Sequence, residues 1–194
     1  MSIAIKRRRS RGVTLVELIV FIVIVSVAVA GILTALDIAN RSSTDPMIQK
    51  QTLAIAEALL EEVQLQPFTY CDPNDANAAT ALSAAACTGG AGGANDENKL
   101  PLGPEAGETR TGATPFDNVS DYNGFSMGPG ITDLSGAVLP DLGAYSASVA
   151  VANQALGAVP SADGLLITVT VTGPSDTTVV LHGYRVRYAP NALP

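Results

Sequence analysis

Hydrophobic and polar positions change their pattern four times along the chain, and each pattern predicts a different element. From Val13 to Leu36 almost every position is apolar, and no charge occurs between Leu18 and Leu36. As a helix, these residues would span roughly 36 Å at about 1.5 Å each, enough to cross a hydrocarbon core of roughly 30 Å. Asp45-Pro46 then reads as a helix N-cap followed by proline at the first helical position, so the helix either restarts there or continues with a kink. From Met47 to Leu65, Ile48, Ile55, Ala56, Leu59, Leu60 and Val63 recur at spacings of three and four, and Gln49, Lys50, Glu57, Glu61 and Gln64 take the other face. That is an amphipathic helix, ended by Pro67. Period-two alternation takes over at Tyr145–Val151, Leu166–Thr172 and Val179–Tyr188, with Gly173-Pro174-Ser175-Asp176 joining the last two. The expected result is an antiparallel meander with one apolar and one threonine-rich face.

Between helix and strands the pattern fades. Asn74 to Ala86 is rich in Ala and Asn, and Gly89-Gly90-Ala91-Gly92-Gly93 follows. Such a composition is expected to build no core and to form a flexible surface loop, its start tucked in by Phe68 and Tyr70. Phe116-Asp117-Asn118-Val119-Ser120-Asp121-Tyr122-Asn123-Gly124-Phe125 is more distinctive, since it holds three of the nine aromatic residues. Those three are expected to pack an irregular loop onto the sheet.

Charge gives the first segment a direction. Lys6, Arg7, Arg8, Arg9 and Arg11 precede the apolar run, and the positive-inside bias puts them on the cytoplasmic side, with residues 37–194 exported. The whole chain has a formal charge of −7, and removing those five basic residues takes it to −12. So acidic an exported part argues against nucleic-acid binding over its whole surface, because phosphate contacts need Lys and Arg. Once a leader and the anchor are set aside, roughly 130 residues remain, enough for one domain. The two cysteines, Cys71 and Cys87, lie on the exported side, where an oxidising compartment lets them pair.

Glu17 is the residue a plain anchor would avoid, since an acid in a spanning segment costs up to about 2.5–3.5 kcal/mol, less near the helix end. The string Gly12-Val13-Thr14-Leu15-Val16-Glu17 behind a short basic leader resembles the class III signal of type IV pilins and type II secretion pseudopilins. The resemblance implies that a prepilin peptidase cleaves between Gly12 and Val13 and methylates the new amine of Val13. It also implies that Glu17 pairs with the N-terminal amine of a neighbouring subunit during filament assembly. Val13 departs from the family's usual first mature residue, Phe or Met. Two other readings of the same stretch are a secretory signal peptide cut near Ala28-Val29-Ala30 and an uncleaved anchor. Gly31 and Ala35 add a small-xxx-small spacing that lets helices approach closely, or they are simply small lipid-facing residues.

The resemblance implies an α+β pilin-like fold: a long N-terminal helix, half transmembrane and half amphipathic, packed on an antiparallel sheet. The expected divisions are a cleaved leader at 1–12, a membrane or filament-core helix at 13–36, an amphipathic half at 37–66, a flexible disulfide-bearing loop region at 67–115 and a sheet domain at 116–194. Implied partners are the prepilin peptidase, other pilins or pseudopilins, an inner-membrane assembly platform and membrane lipid. The aromatic-acidic string, the Thr-Val-Thr-Val-Thr hairpin and Tyr184-Arg185-Val186-Arg187-Tyr188 are together similar to minor pilins of the mannose-sensitive haemagglutinin type.

Candidate chemistry is sparse. Asp117, Asp121 and Asn123 are candidate oxygen ligands for calcium, although turn chemistry explains the same residues without a metal. Two cysteines and a distant His182 do not make a four-ligand zinc site without carboxylate help. His182 is the lone histidine, set in a strand, where a structural or solvent-facing role is expected. No motif gathers the carboxylates into an acid–base pair, so no enzyme is expected. Arg185 and Arg187, on one strand face, are the basic pair that an adhesive or DNA-binding module of this build would use.

Overall fold

The computed structural model describes residues 14–188, and their side chains except at 39–45. The expected leader, Gly12, Val13 and the capping side chain of Asp45 therefore lie outside the described residues. Helix α1 runs from Leu15 to Leu65 with Pro46 inside it, and the chain divides at that proline into two compact units, 1–46 and 47–194.

In the first unit, Leu15–Ile38 is long and apolar enough to cross a membrane, with a mean hydropathy of 2.9 and none of it buried. Its hydroxyls are satisfied within the helix: Ser26 Oγ donates to the Ile22 carbonyl at 2.7 Å and Thr34 Oγ1 to the Ala30 carbonyl at 2.9 Å. This is what a helix surrounded by hydrocarbon requires. Gly31 has open space where a Cβ would be, so its side meets nothing within the described chain.

The second unit is built on an antiparallel sheet of order β1-β2-β3-β4, comprising Ser126–Met127, Ser146–Asn153, Gly164–Thr172 and Thr178–Val186. The three long strands form the meander that the alternation predicts, and β1 is a short addition at the edge. On β3, Leu165, Ile167, Val169 and Val171 are fully buried, while Thr168, Thr170 and Thr172 point to the other, half-exposed face. The α1 stripe Ala56, Leu59 and Val63 joins this sheet face in one hydrophobic core, flanked by Ile55 and Leu60. The helix comes close because Gly183 on β4 has no side chain: a Cβ there would lie 2.8 Å from Leu60 Cδ1 and 2.5 Å from Gln64 Nε2. The fold is thus α+β, with helix on antiparallel sheet.

Residues 68–115 depart from expectation. Cys71, Ala78, Ala81 and Cys87 form a second small buried cluster, with Tyr70 packed against it. The disulfide joins Cys71 to Cys87. What organises the Ala- and Gly-rich run is one carboxylate, Asp75, only 6% exposed. It accepts from the Asn77 and Thr88 amides, from Thr88 Oγ1 and from Asn95 Nδ2, at 2.7–3.0 Å. These donors hold its carboxyl below the usual range against the opposing effect of desolvation. Composition failed here because the loop is held by one polar hub and a covalent link, and neither shows as hydrophobicity.

Candidate functional site

Two regions carry candidate chemistry. In the first, helix α1 begins just after Thr14, whose Oγ1 accepts the Glu17 amide at 3.2 Å, while the Leu18 amide donates to the Thr14 carbonyl at 3.1 Å. Thr14 is therefore the cap of the helix, satisfying an amide that has no partner of its own in the first turn. Glu17 is exposed in that first turn, with no covering side chain from the described residues. Leu15 and Val16 beside it are also exposed, at 74% and 68%, so the whole start of the helix is presented outward.

The second region centres on the aromatic-acidic string. Phe116, Tyr122 and Phe125 make the expected knot, each ring edge-on to the others at centroid distances of 5.0–6.1 Å. Asn118 and Asp121 cap the short helical turn Val119–Tyr122 reciprocally: Asn118 Oδ1 accepts from the Ser120 amide, and Asp121 Oδ2 accepts from the Asn118 and Asp117 amides. Tyr122 Oη donates to Glu62 Oε1 at 2.8 Å, and Arg110 clamps the same carboxylate with both Nε and Nη2 at 2.7 Å. Glu62, on the mostly polar side of the stripe, thus fastens the string and the preceding loop to α1.

Of the three proposed oxygen ligands, two lie among other acids and one does not. Asn123 is used at both ends, its Nδ2 donating to the Leu102 carbonyl and its Oδ1 accepting the Val151 amide. Asp121 meets Glu97 and Glu105, and Glu105 also meets Asp72 and Glu108; within each trio, carboxylate oxygens lie within 4.8 Å of one another. Asp117 stands beside them, held by Asn74 Nδ2 at 2.7 Å. Burial raises all four inner acids, and neighbouring negative charge adds to it: Asp117 to about 6, Asp121 to about 7, Glu105 to about 8 and Glu97 to about 10. Glu97, Glu105, Glu108 and Asp72 were not legible as a group, because they come from scattered positions in low-complexity sequence and share no spacing.

The remaining candidates are structural. Arg187, with a side chain 1% exposed, lies between the rings of Phe68 and Tyr70, its guanidinium carbon 3.8 and 4.2 Å from their centroids. It donates to the Thr69 carbonyl and Asn98 Oδ1, and pairs with Asp163 at 3.3 Å. Arg185 donates to the Gln66 carbonyl. The pair is thus engaged by the domain itself and presents no basic face for a phosphate backbone. His182 is exposed on β4, its Nδ1 3.1 Å from Thr168 Oγ1 on the neighbouring strand.

Against known families, the first region decides. Residues 7–33 match the prokaryotic N-terminal methylation motif. The match covers the four arginines of the basic run, the expected cleavage point, Glu17 and most of the apolar helix, and it supports a type IV pilin-like protein. Together with the exposed apolar helix it fits a single-pass membrane anchor and points to a structural subunit, and a signal of this class implies processing by a prepilin peptidase and assembly with other pilins. No curated protein and no solved structure matches the chain.

Proposed function

We propose that this protein is a minor pilin or pseudopilin, a subunit that initiates, caps or joins a type IV pilus or a secretion pseudopilus. The observation that carries the reading is the methylation motif at 7–33 laid over a helix that is apolar on every side. A helix of that kind has two suitable surroundings, lipid before assembly and the apolar helices of other subunits after it. In this reading the leader 1–12 stays cytoplasmic and is removed between Gly12 and Val13. The Val13 amine is methylated, and Glu17 pairs with the amine of a neighbour. A carboxylate and an ammonium meeting in low dielectric relieve each other's desolvation, which is what makes an acid tolerable at that depth. The assembly platform draws the subunit from the inner membrane, its domain lies on the exported side, and it resembles the minor pilins of the mannose-sensitive haemagglutinin type.

Mass spectrometry of the purified protein's N-terminus tests the reading directly. A chain beginning at N-methyl-Val13 is expected. A chain beginning at Met1, or one cut after Ala30, would overturn it.

A further inference from the structure

We propose that Glu97, Glu105 and Asp121 bind one calcium ion, surrounded by the carboxylates of Asp72, Glu108 and Asp117. The three inner residues come from separate stretches, yet their carboxylate oxygens converge to within 4.8 Å of one another. Glu97 is 3% exposed and Asp121 is fully buried. Each of the three has a buried oxygen with no hydrogen-bond donor, namely Glu97 Oε1, Glu105 Oε2 and Asp121 Oδ1, and Asp117 Oδ1 is in the same condition. The second oxygen of Asp121 is taken by the Asp117 and Asn118 amides and that of Glu97 by Ser120 Oγ, so each side chain is fixed by one oxygen and offers the other.

Folded proteins seldom leave one buried acceptor unsatisfied, and three converging carboxylates that each carry such an oxygen call for a positive charge. The described residues do not supply it. Among the described residues the ion pairs are Arg110–Glu62 and Arg187–Asp163, neither of which uses any of the six acids. Arg187 feels the charge of Glu97, but its donors go to the Thr69 carbonyl, Asn98 and Asp163.

The donor set selects the ion. All six are hard oxygen ligands, which suits calcium, magnesium or manganese and not a thiolate- or imidazole-seeking metal. Calcium takes six to eight oxygens in flexible geometry, whereas magnesium demands near-ideal octahedral geometry and gives up its waters reluctantly. Irregular loops carrying several carboxylates on flexible stems give calcium its preferred latitude. Bound there, the ion joins Glu97 and Glu105 of the glycine-rich region to the Val119–Tyr122 turn.

The test uses the full-length protein in nonionic detergent, stripped with a chelator and titrated with calcium chloride by calorimetry and by thermal melting. One calcium per chain and a higher melting temperature are expected, with magnesium markedly weaker. Glu105→Gln and Glu97→Gln should each weaken binding by about tenfold or more, at least the loss that follows when a mere supporting group of a metal site is removed. Asp133→Asn, a half-exposed acid in another turn, should bind as the parent does. Circular dichroism of each variant shows whether it is folded, and Glu105→Gln, at a half-buried position, serves if Glu97→Gln is not. No heat and no melting shift up to about 10 mM calcium, beyond the range of weak extracellular sites, would overturn the proposal and leave the acids sharing protons instead. Undiminished binding in folded Glu105→Gln, or magnesium binding equal to calcium, would overturn it as well. Neither outcome touches the filament reading, which rests on the N-terminus.

Discussion

Glu17 lies in the first turn of α1, and two benefits compete to explain an acid there. Its position near the positive end of the helix dipole is worth about 0.3–1 kcal/mol, and the cap itself comes from Thr14 Oγ1 rather than from the glutamate. The insertion cost of an acid, up to about 2.5–3.5 kcal/mol at the centre of a span, is smaller near the helix end where Glu17 sits, and under the proposed function the second benefit is a partner, the amine of a neighbouring subunit. Glu17→Leu is therefore expected to be cleaved and to remain in the inner membrane, yet to be missing or depleted in sheared filaments. Wild-type stoichiometry there, measured by immunoblot, would remove the pairing role. Arg187 is the opposite case, a charge whose whole use is inside the domain. Arg187→Met forfeits its stacking on Phe68 and Tyr70 and leaves the Thr69 carbonyl and Asn98 without their donor, a loss of about 3 kcal/mol in urea unfolding followed by tyrosine fluorescence. Arg187→Lys should recover little of this, because an ammonium does not lie flat between two rings and reach three acceptors.

At the scale of elements, helix and strands hold by apolar area, whereas the stretch between them holds by point contacts. The Ala56–Leu59–Val63 stripe lies on the sheet at a distance set by Gly183. Gly183→Val should push Leu60 and Gln64 away and cost about 1–3 kcal/mol of stability, the usual penalty of overpacking, readable as a lower melting temperature. The loop region answers to different substitutions. Thiol alkylation under denaturing, non-reducing conditions should label neither Cys71 nor Cys87, while the Cys71→Ser/Cys87→Ser pair should lose about 3 kcal/mol by the loop-entropy account. Asp75→Ala, which strands three residues' donors, should open the loop to limited proteolysis between Ala76 and Gly93 even with the disulfide intact.

For the whole molecule, the acid cluster makes stability depend on pH in a direction unusual for carboxylates. Burial raises Asp117, Asp121, Glu105 and Glu97 above their ordinary values, so the folded state holds these protons more tightly than the unfolded chain does. The stabilisation is complete below the unfolded values near pH 4 and is lost as pH rises through about 6, 7, 8 and finally 10. In chelator, the melting temperature should therefore fall from pH 5 to pH 9. With saturating calcium the slope should flatten, since the ion stabilises the ionised carboxylates that pH otherwise makes costly.

The sequence by itself determined every element whose signal is local and periodic. The charge-free run to Leu36 marks a helix apolar all round, while the three-and-four spacing from Ile48 to Val63 and the alternation of Leu166 to Thr172 state in residue order which face is apolar, and burial follows that order in both. The N-terminal motif was legible for the same reason, because a peptidase reads a linear string. The tertiary structure alone decided what depends on long-range neighbours. It placed Glu97, Glu105 and Asp121 around one point, turned Arg187 from a surface cation into a buried clamp, and gave Asn123 to the Leu102 carbonyl and the Val151 amide. A carboxylate, a guanidinium or an amide has no face to declare in the sequence. What it does is set by which donors and charges the fold brings within about 3 Å of it, and those lie tens of residues away along the chain.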